Sequence, residues 1–127
     1  MVAPVSESLR RDVRSIDLLE YVYGVGDRGR AVFSLVAASP EAVTVDEVAA
    51  SLDCDRSTAY RSIRRLVEAD LLVQTKVDDD GGYHYVYATR PAEEIADDMQ
   101  RHLNDWYARV QGLVQSFEES CGGTSSA

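Results

Sequence analysis

Residues 44–72 read Thr44-Val-Asp-Glu-Val-Ala-Ala-Ser-Leu-Asp-Cys-Asp-Arg-Ser-Thr-Ala-Tyr-Arg-Ser-Ile-Arg-Arg-Leu-Val-Glu-Ala-Asp-Leu-Leu72. Thr44 and Glu47 have the spacing of a capping box, in which the Thr hydroxyl accepts from the third amide and the Glu carboxylate reaches back to the cap. A short helix follows, burying Val45, Val48, Ala49 and Leu52. Asp53-Cys54-Asp55 makes a tight turn, and Asp55 is placed to cap a second helix running from Arg56 to about Ala69. At about 100° per residue, Ala59, Ile63, Leu66 and Val67 fall within one arc of roughly 100°. Ser57, Arg61, Arg64 and Arg65 lie opposite, with Thr58 at one flank and Tyr60 between the faces.

Working back from Thr44, Leu9, Val13, Ile16, Leu19 and Tyr23 recur at helical intervals, which predicts a helix over Ser6 to Tyr23, after a short arm and stopped by Gly24 and Gly26. Asp27 is placed to cap a helix carrying Ala31, Val32, Leu35 and Val36, ended at Ser39-Pro40. Forward of Leu72 the period changes from 3.6 to 2. Leu71 to Val77 and Tyr83 to Thr89 read as strands of a hairpin around Asp78-Asp79-Asp80-Gly81-Gly82. Pro91 suits the first position of a last helix, continuing to about Glu119. The expected fold class is mainly α (α+β): a winged helix-turn-helix with a two-stranded wing and a long C-terminal helix. The expected division is a winged domain over 1–91, a dimerisation helix over 92–119 and a flexible tail over 120–127.

Charge sharpens the functional reading. The chain has 127 residues and a net charge of -9, from 13 basic and 22 acidic side chains. Twelve of the bases are arginine, Lys76 is the lone lysine, and 13 of the acids are aspartate. Such an Asp-rich, lysine-poor composition suits a protein that must stay hydrated in concentrated salt, a halophilic trait. A net negative charge argues against nucleic acid only until it is resolved by position. Arg56, Arg61, Arg64 and Arg65 place +4 in ten residues without an acid, which leaves -13 on the other 117. Concentrating the scarce sign on one helix is what phosphate attraction requires. From a helix in the major groove, Arg61 projects most directly at base edges, where an arginine bonds guanine bidentately. Ser57 and Thr58 can donate to phosphate, and Tyr60 can stack on a sugar or pack under the wing. The plain structural alternative is a solvated arginine face paired with surrounding acids.

Residues 44–72 resemble the reading unit of small archaeal TrmB-type winged-helix transcription regulators. The likeness extends back to Leu18-Leu-Glu-Tyr-Val-Tyr-Gly24 and forward through Gly81-Gly-Tyr-His-Tyr-Val-Tyr87 to Asp105-Trp-Tyr107. With the acidic composition, it resembles a haloarchaeal member. The resemblance implies a homodimeric, sequence-specific regulator binding double-stranded DNA. Two departures stand out. Asp70 occupies a position where such proteins often have Gly, so that turn is expected to be mildly strained. Tyr21 stands where oxidant-sensing relatives carry a cysteine, so that redox mechanism does not carry over.

Outside the reading helix, the candidate DNA contacts are Thr44 and, on the wing, Lys76. The three aspartates at the wing tip repel phosphate unless the tip lies away from the backbone or cations bridge it. Tyr83, Tyr85 and Tyr87 alternate onto one strand face, expected to be core or helix-packing surface. Cys54, in the turn beside the reading helix, is either a small turn-filling residue or a thiol switch; Cys121 lies in the Gly/Ser tail. His84 and His102 have no partners at metal spacing, so neither a metal nor a cofactor is expected.

On the last helix, Ile95, Met99, Leu103, Trp106, Val110, Leu113 and Phe117 recur at steps of three and four, a heptad-like seam suited to pairing with another helix. Leu9, Val13 and Ile16 offer a complementary stripe, and packing within the chain is the alternative. No Gly-rich phosphate loop, catalytic triad or metal cluster is read, so no enzyme and no small-molecule ligand is expected. The absence of an apolar run of membrane length and of a visible secretory signal makes a cytoplasmic, nucleoid-associated location the expectation. The functional alternatives are a protein-interaction winged-helix module, favoured by the overall charge, and a chromatin-architectural protein without strong sequence preference.

Overall fold

The computed structural model describes residues 14–122. The chain divides at Pro91/Ala92 into two compact units. In the first, a 3-10 turn over Ser15–Asp17 leads into α1 (Leu18–Tyr23), followed by α2 (Asp27–Ala38), α3 (Val45–Leu52), α4 (Arg56–Glu68), β1 (Leu72–Asp79) and β2 (Gly82–Thr89). The second is α5 (Ala92–Phe117), closed by a π turn over Glu118–Gly122. This is a mainly helical winged helix-turn-helix with an antiparallel two-stranded wing.

The first helix differs from its sequence reading. Arg14 is extended, with φ -96° and ψ 155°, so no continuous helix runs through it. Asp17 explains the break: its carboxylate accepts from the Arg14 amide at 3.1 Å, and its own amide donates to the Arg14 carbonyl at 2.9 Å. An aspartate three residues on thus starts a helix afresh instead of continuing one. Ile16 is half-buried in the 3-10 turn. Leu9 and Val13, like the arm and residues 123–127, lie outside the described residues.

Elsewhere the differences are single positions. Gly26, not Asp27, is the N-cap of α2, and α5 begins after Pro91. Leu52 is half-buried while Val45, Val48 and Ala49 are fully buried. The Thr44/Glu47 box forms as predicted, with the Glu47 amide donating to Thr44 Oγ1 at 3.2 Å and the Thr44 amide to Glu47 Oε1 at 2.9 Å. The wing strands pair from Leu72↔Thr89 to Asp79↔Gly82, each one residue longer than the periodicity predicts, with β1 starting one residue later and reaching two further. Only Asp80 and Gly81 remain to turn the chain, and Gly81 takes φ +79°.

The core lies where α2, α3 and α4 meet, with Val32, Val48, Ala59, Ile63, Leu66 and Leu71 at 0% exposure. The wing joins it through Tyr87, whose ring is 1% exposed. Its amide donates to the Val43 carbonyl at 2.8 Å and its carbonyl accepts from the Val43 amide at 2.9 Å. This single bridge attaches the segment before α3 to β2. The hydroxyl finds Gln74 Oε1 at 3.3 Å, so the buried ring keeps a polar partner. Burial raises its pKa above the ordinary 10.0. The tyrosine stripe is therefore only partly core: Tyr83 and Tyr85 are exposed, meeting edge to face at 5.6 Å between centroids.

Three helix ends close through a left-handed residue: Gly24 at φ +72°, Asp53 at +51° and Asp70 at +60°. The Cys54 amide then reaches back to the Ala49 carbonyl at 3.1 Å, and that of Leu71 to Leu66 at 2.9 Å. Both aspartates hold a conformation that glycine adopts freely, and their carboxylates sit at the negative end of a helix.

Two outcomes follow in urea unfolding. Tyr87→Ala loses about 3–5 kcal/mol, whereas Tyr87→Phe, which keeps the ring and loses one long hydrogen bond, costs about 1 kcal/mol or less. Asp70→Gly stabilises the chain by about 0.5–1 kcal/mol by relieving the left-handed backbone, net of the greater freedom of an unfolded glycine.

Candidate nucleic-acid interface

α4 is held by its apolar arc. Ala59, Ile63 and Leu66 are buried against α2 and α3, Val67 is half-buried, and the opposite side is left to solvent. Arg56, Ser57, Tyr60, Arg61, Arg64 and Arg65 are all exposed, with Thr58 half-buried at the flank. The structure thus brings the sequence-predicted reading residues together on one face.

The helix start has its own hydrogen-bond logic. Asp55 is the N-cap residue, yet its carboxylate accepts from the side-chain hydroxyls of Thr58 at 2.5 Å and Ser57 at 2.7 Å, and its side chain takes no amide of the turn. These bonds, Thr58's first, hold the Asp55 carboxyl below its ordinary 3.8. They also commit the hydroxyl protons of Ser57 and Thr58, so in this state both present oxygen lone pairs. Arg61 Nη2 approaches the Thr58 oxygen at 3.5 Å.

Two of the four arginines have acidic neighbours. Arg56 pairs with Asp46 of α3 at 3.1 Å and Arg64 with Glu68 one turn on at 3.8 Å. Exposed pairs of this kind are worth about 0–1 kcal/mol, so a phosphate can displace them. Among the described residues, no carboxylate pairs with Arg61 or Arg65. Thr44, half-buried, has its hydroxyl oxygen within the capping box, though its position at the start of α3 keeps it on the periphery of this face. On the wing, Lys76 Nζ sits 4.3 Å over the Tyr83 ring, and His84 Nδ1 lies 2.7 Å from Asp79. Cys54 is half-buried and unbridged. No group of three or more His, Cys, Asp and Glu among the described residues can hold a metal. No helix among them is long and apolar enough to cross a membrane.

One feature was not legible along the chain. The connection Gly24-Val25-Gly26-Asp27-Arg28-Gly29, in which the glycines read as helix stops, forms one wall of an open cleft of about 740 Å³. The other wall is the flank of α4 that carries Thr58, Arg61, Ser62 and Arg65. The segment has the spacing Gly-x-Gly-x-x-Gly, the signal that could have marked it, but it follows a helix rather than a strand and so lacks a dinucleotide-binding context.

This arrangement is a winged helix-turn-helix fold. Residues 30–75 match the family described as helix-turn-helix domain. The chain is 28% identical over 105 residues to an uncharacterized protein of Methanocaldococcus jannaschii, covering 82% of this chain and 86% of that one. Its fold is similar to that of a possible transcriptional regulator from Methanosarcina mazei Go1, with a TM-score of 0.76 and 22% identity over 93% of this chain and 97% of the other. A protein from the thermoacidophilic archaeon Sulfolobus tokodaii gives a TM-score of 0.63 at 22% identity, covering 74% and 92%.

The Asp55 network makes a pH prediction. A carboxyl whose folded pKa is depressed stabilises the fold fully above its unfolded value, near 3.8, and loses that contribution as pH falls through the folded value. Carbon-detected NMR titration should place Asp55 below 3.8, and the double change Ser57→Ala, Thr58→Val should return it toward that value. An unchanged titration in the double variant would show that the hydroxyls do not hold the carboxylate.

Proposed function

We propose that the chain is a sequence-specific, double-stranded DNA-binding transcription regulator that acts as a homodimer in the cytoplasm, with the helix from Arg56 to about Ala69 reading the major groove. The observation that carries this reading is the exposed arginine face of α4, with no acid between Arg56 and Arg65, in a chain that is otherwise strongly acidic. Arg61 and Arg64 reach base edges, Arg56 and Arg65 flank them at phosphates, Tyr60 and Thr44 contact the backbone, and Ser57 and Thr58 join them by turning their hydroxyl protons from Asp55 to phosphate oxygens. Lys76 supplies the wing's single basic contact.

The dimer uses the seam of α5. Trp106 and Phe117 are 58% and 69% exposed, and Leu103 and Leu113 are exposed with them. Met99 and Val110 are half-buried and Ile95 is buried. Large apolar side chains repeated along one stripe of a 26-residue helix support pairing with a second copy. Leu9, Val13 and Ile16 would add to it. Two α4 helices then address half-sites about one turn of DNA apart.

The composition supports a TrmB-like, haloarchaeal version of this regulator. Ordinary electrostatic binding loses roughly 0.9 log units of affinity per neutralised phosphate for each tenfold rise in salt, so it fails in concentrated salt. Here cations shared between DNA and the acidic wing flatten that dependence, and base contacts contribute most of the specificity. A protein-interaction module is the second reading, favoured by the -9 net charge.

Fluorescence anisotropy on promoter fragments in potassium chloride tests both. Arg61→Ala and Arg64→Ala should each cost about 1–3 kcal/mol of binding to the preferred site, with a shallow salt slope. Binding indifferent to both changes would remove α4 as the reading element, and no binding at all would favour the protein-interaction reading. Sedimentation at micromolar concentration should give twice the chain mass, falling to one chain for Leu113→Glu with Phe117→Glu.

A further inference from the structure

The cleft beside α4 carries charge of a kind scarce in this chain. Arg28, Arg61 and Arg65 line it. The two acids that also line it, Asp27 and Glu68, are engaged by Arg30 and Arg64. No carboxylate among the described residues forms an ion pair with Arg28, Arg61 or Arg65, so three guanidinium groups against two carboxylates leave the lining with a net positive charge.

The opposite wall has little side-chain cover. Gly24 turns the chain at φ +72°. Gly29 is explained by packing, because a Cβ there would lie 2.6 Å from a Val25 methyl. Gly26 is not: its φ of -77° suits any residue, and a Cβ would meet nothing within 4 Å. Gly is an accepted N-cap, level with Thr, but Ser, Asp and Asn rank above it at the position it occupies. Neither backbone nor packing calls for its missing side chain, whereas a ligand lying against the main chain does. With no side chain at the cap, the first turn of α2, whose Asp27, Arg28 and Gly29 line the cleft, has no side-chain capping bond.

We propose that this cleft binds a phosphate-bearing small molecule, gripped by Arg28, Arg61 and Arg65 against the bare backbone of Gly24–Gly29. A volume of about 740 Å³ exceeds what a single phosphate fills and lies in the range of small-molecule sites. Bidentate guanidinium contacts suit phosphate oxygens, and the site excludes cations by its own charge. Resting on the assignment of α4 as the reading helix, the consequence is regulatory: the occupant withdraws Arg61 and Arg65 from DNA, so ligand and DNA compete. A DNA backbone phosphate has the same chemistry and is the rival occupant.

The test uses the full chain, isotopically labelled, titrated with inorganic pyrophosphate at constant ionic strength without DNA. Expected are amide shifts at Gly24, Gly26 and Gly29, and binding weakened about tenfold by Arg28→Gln, the loss of one charge-assisted contact. Gly26→Val should abolish the response in a chain that stays folded, its melting temperature lowered by about 4–8 °C for about 1 kcal/mol of poorer capping, since the empty fold has room for the side chain. Equal shifts with sodium chloride or sulfate, or none with pyrophosphate, overturn the proposal. Should these residues respond to a DNA duplex but not to pyrophosphate, the cleft is a backbone contact and the small-molecule site is refuted. In a chain that binds no DNA, the regulator reading falls while the pyrophosphate response still decides the cleft.

Discussion

Two hydrogen bonds between Val43 and Tyr87 hold the wing in register with the helices. A two-stranded ribbon is marginal in water by itself, and these bonds add a third segment to its packing against α2 and α4. With them, β2 gains a neighbour just before α3, and the Tyr87 ring is drawn into the space beneath the helices. The same bridge fixes where α3 starts, because Thr44 follows Val43 directly and the capping box begins there. One pair of backbone groups therefore sets the angle of the wing and the entry to the helix-turn-helix together. The Arg90 amide, bonded to the Leu71 carbonyl at 3.1 Å, secures the other end of the hairpin.

What the amino-acid order made legible was the part built from neighbours. The Thr44/Glu47 box, the arc of Ala59, Ile63 and Leu66, and the change of period at Leu71 all depend on residues within about one turn or one strand of each other, and all appear in the structure. The break at Arg14 was missed because the apolar spacing across it is perfectly helical, while the interaction that wins is a single aspartate bonding back to an amide. The Val43 bridge joins positions 44 apart through main-chain atoms and leaves no side-chain pattern to read. The cleft likewise exists only because α4 and the α1–α2 connection are folded against each other. Gly24 and Gly26 carried their local meaning, a helix stop, and gave no hint of what would face them.

Electrostatics here works by position rather than by total. A chain of net -9 gathers four arginines into ten acid-free residues of one helix, and Asp46 and Glu68 hold two of them with weak, solvent-exposed pairs. Arg56 and Arg64 are thereby kept oriented without being neutralised beyond recovery. Arg61 and Arg65 stand at the junction of two surfaces, one turned outward and one lining the cleft, so a single pair of side chains couples whatever occupies either. The cost of such sharing is that neither surface can be altered alone.

The outer edge of β1 has no strand beside it in the two-stranded sheet, and every second residue of its eight turns open backbone donors and acceptors outward, an invitation to another chain. Lys76, Asp78 and Asp79 stand along this edge, and Asp80 follows at its tip. A second copy approaching edge to edge would bring these carboxylates against their own kind. In concentrated salt, where long-range repulsion is screened, short-range crowding of hydrated carboxylates still operates. The wing's acidity, a handicap near phosphate, thus keeps neighbouring molecules from stacking into a continuous sheet.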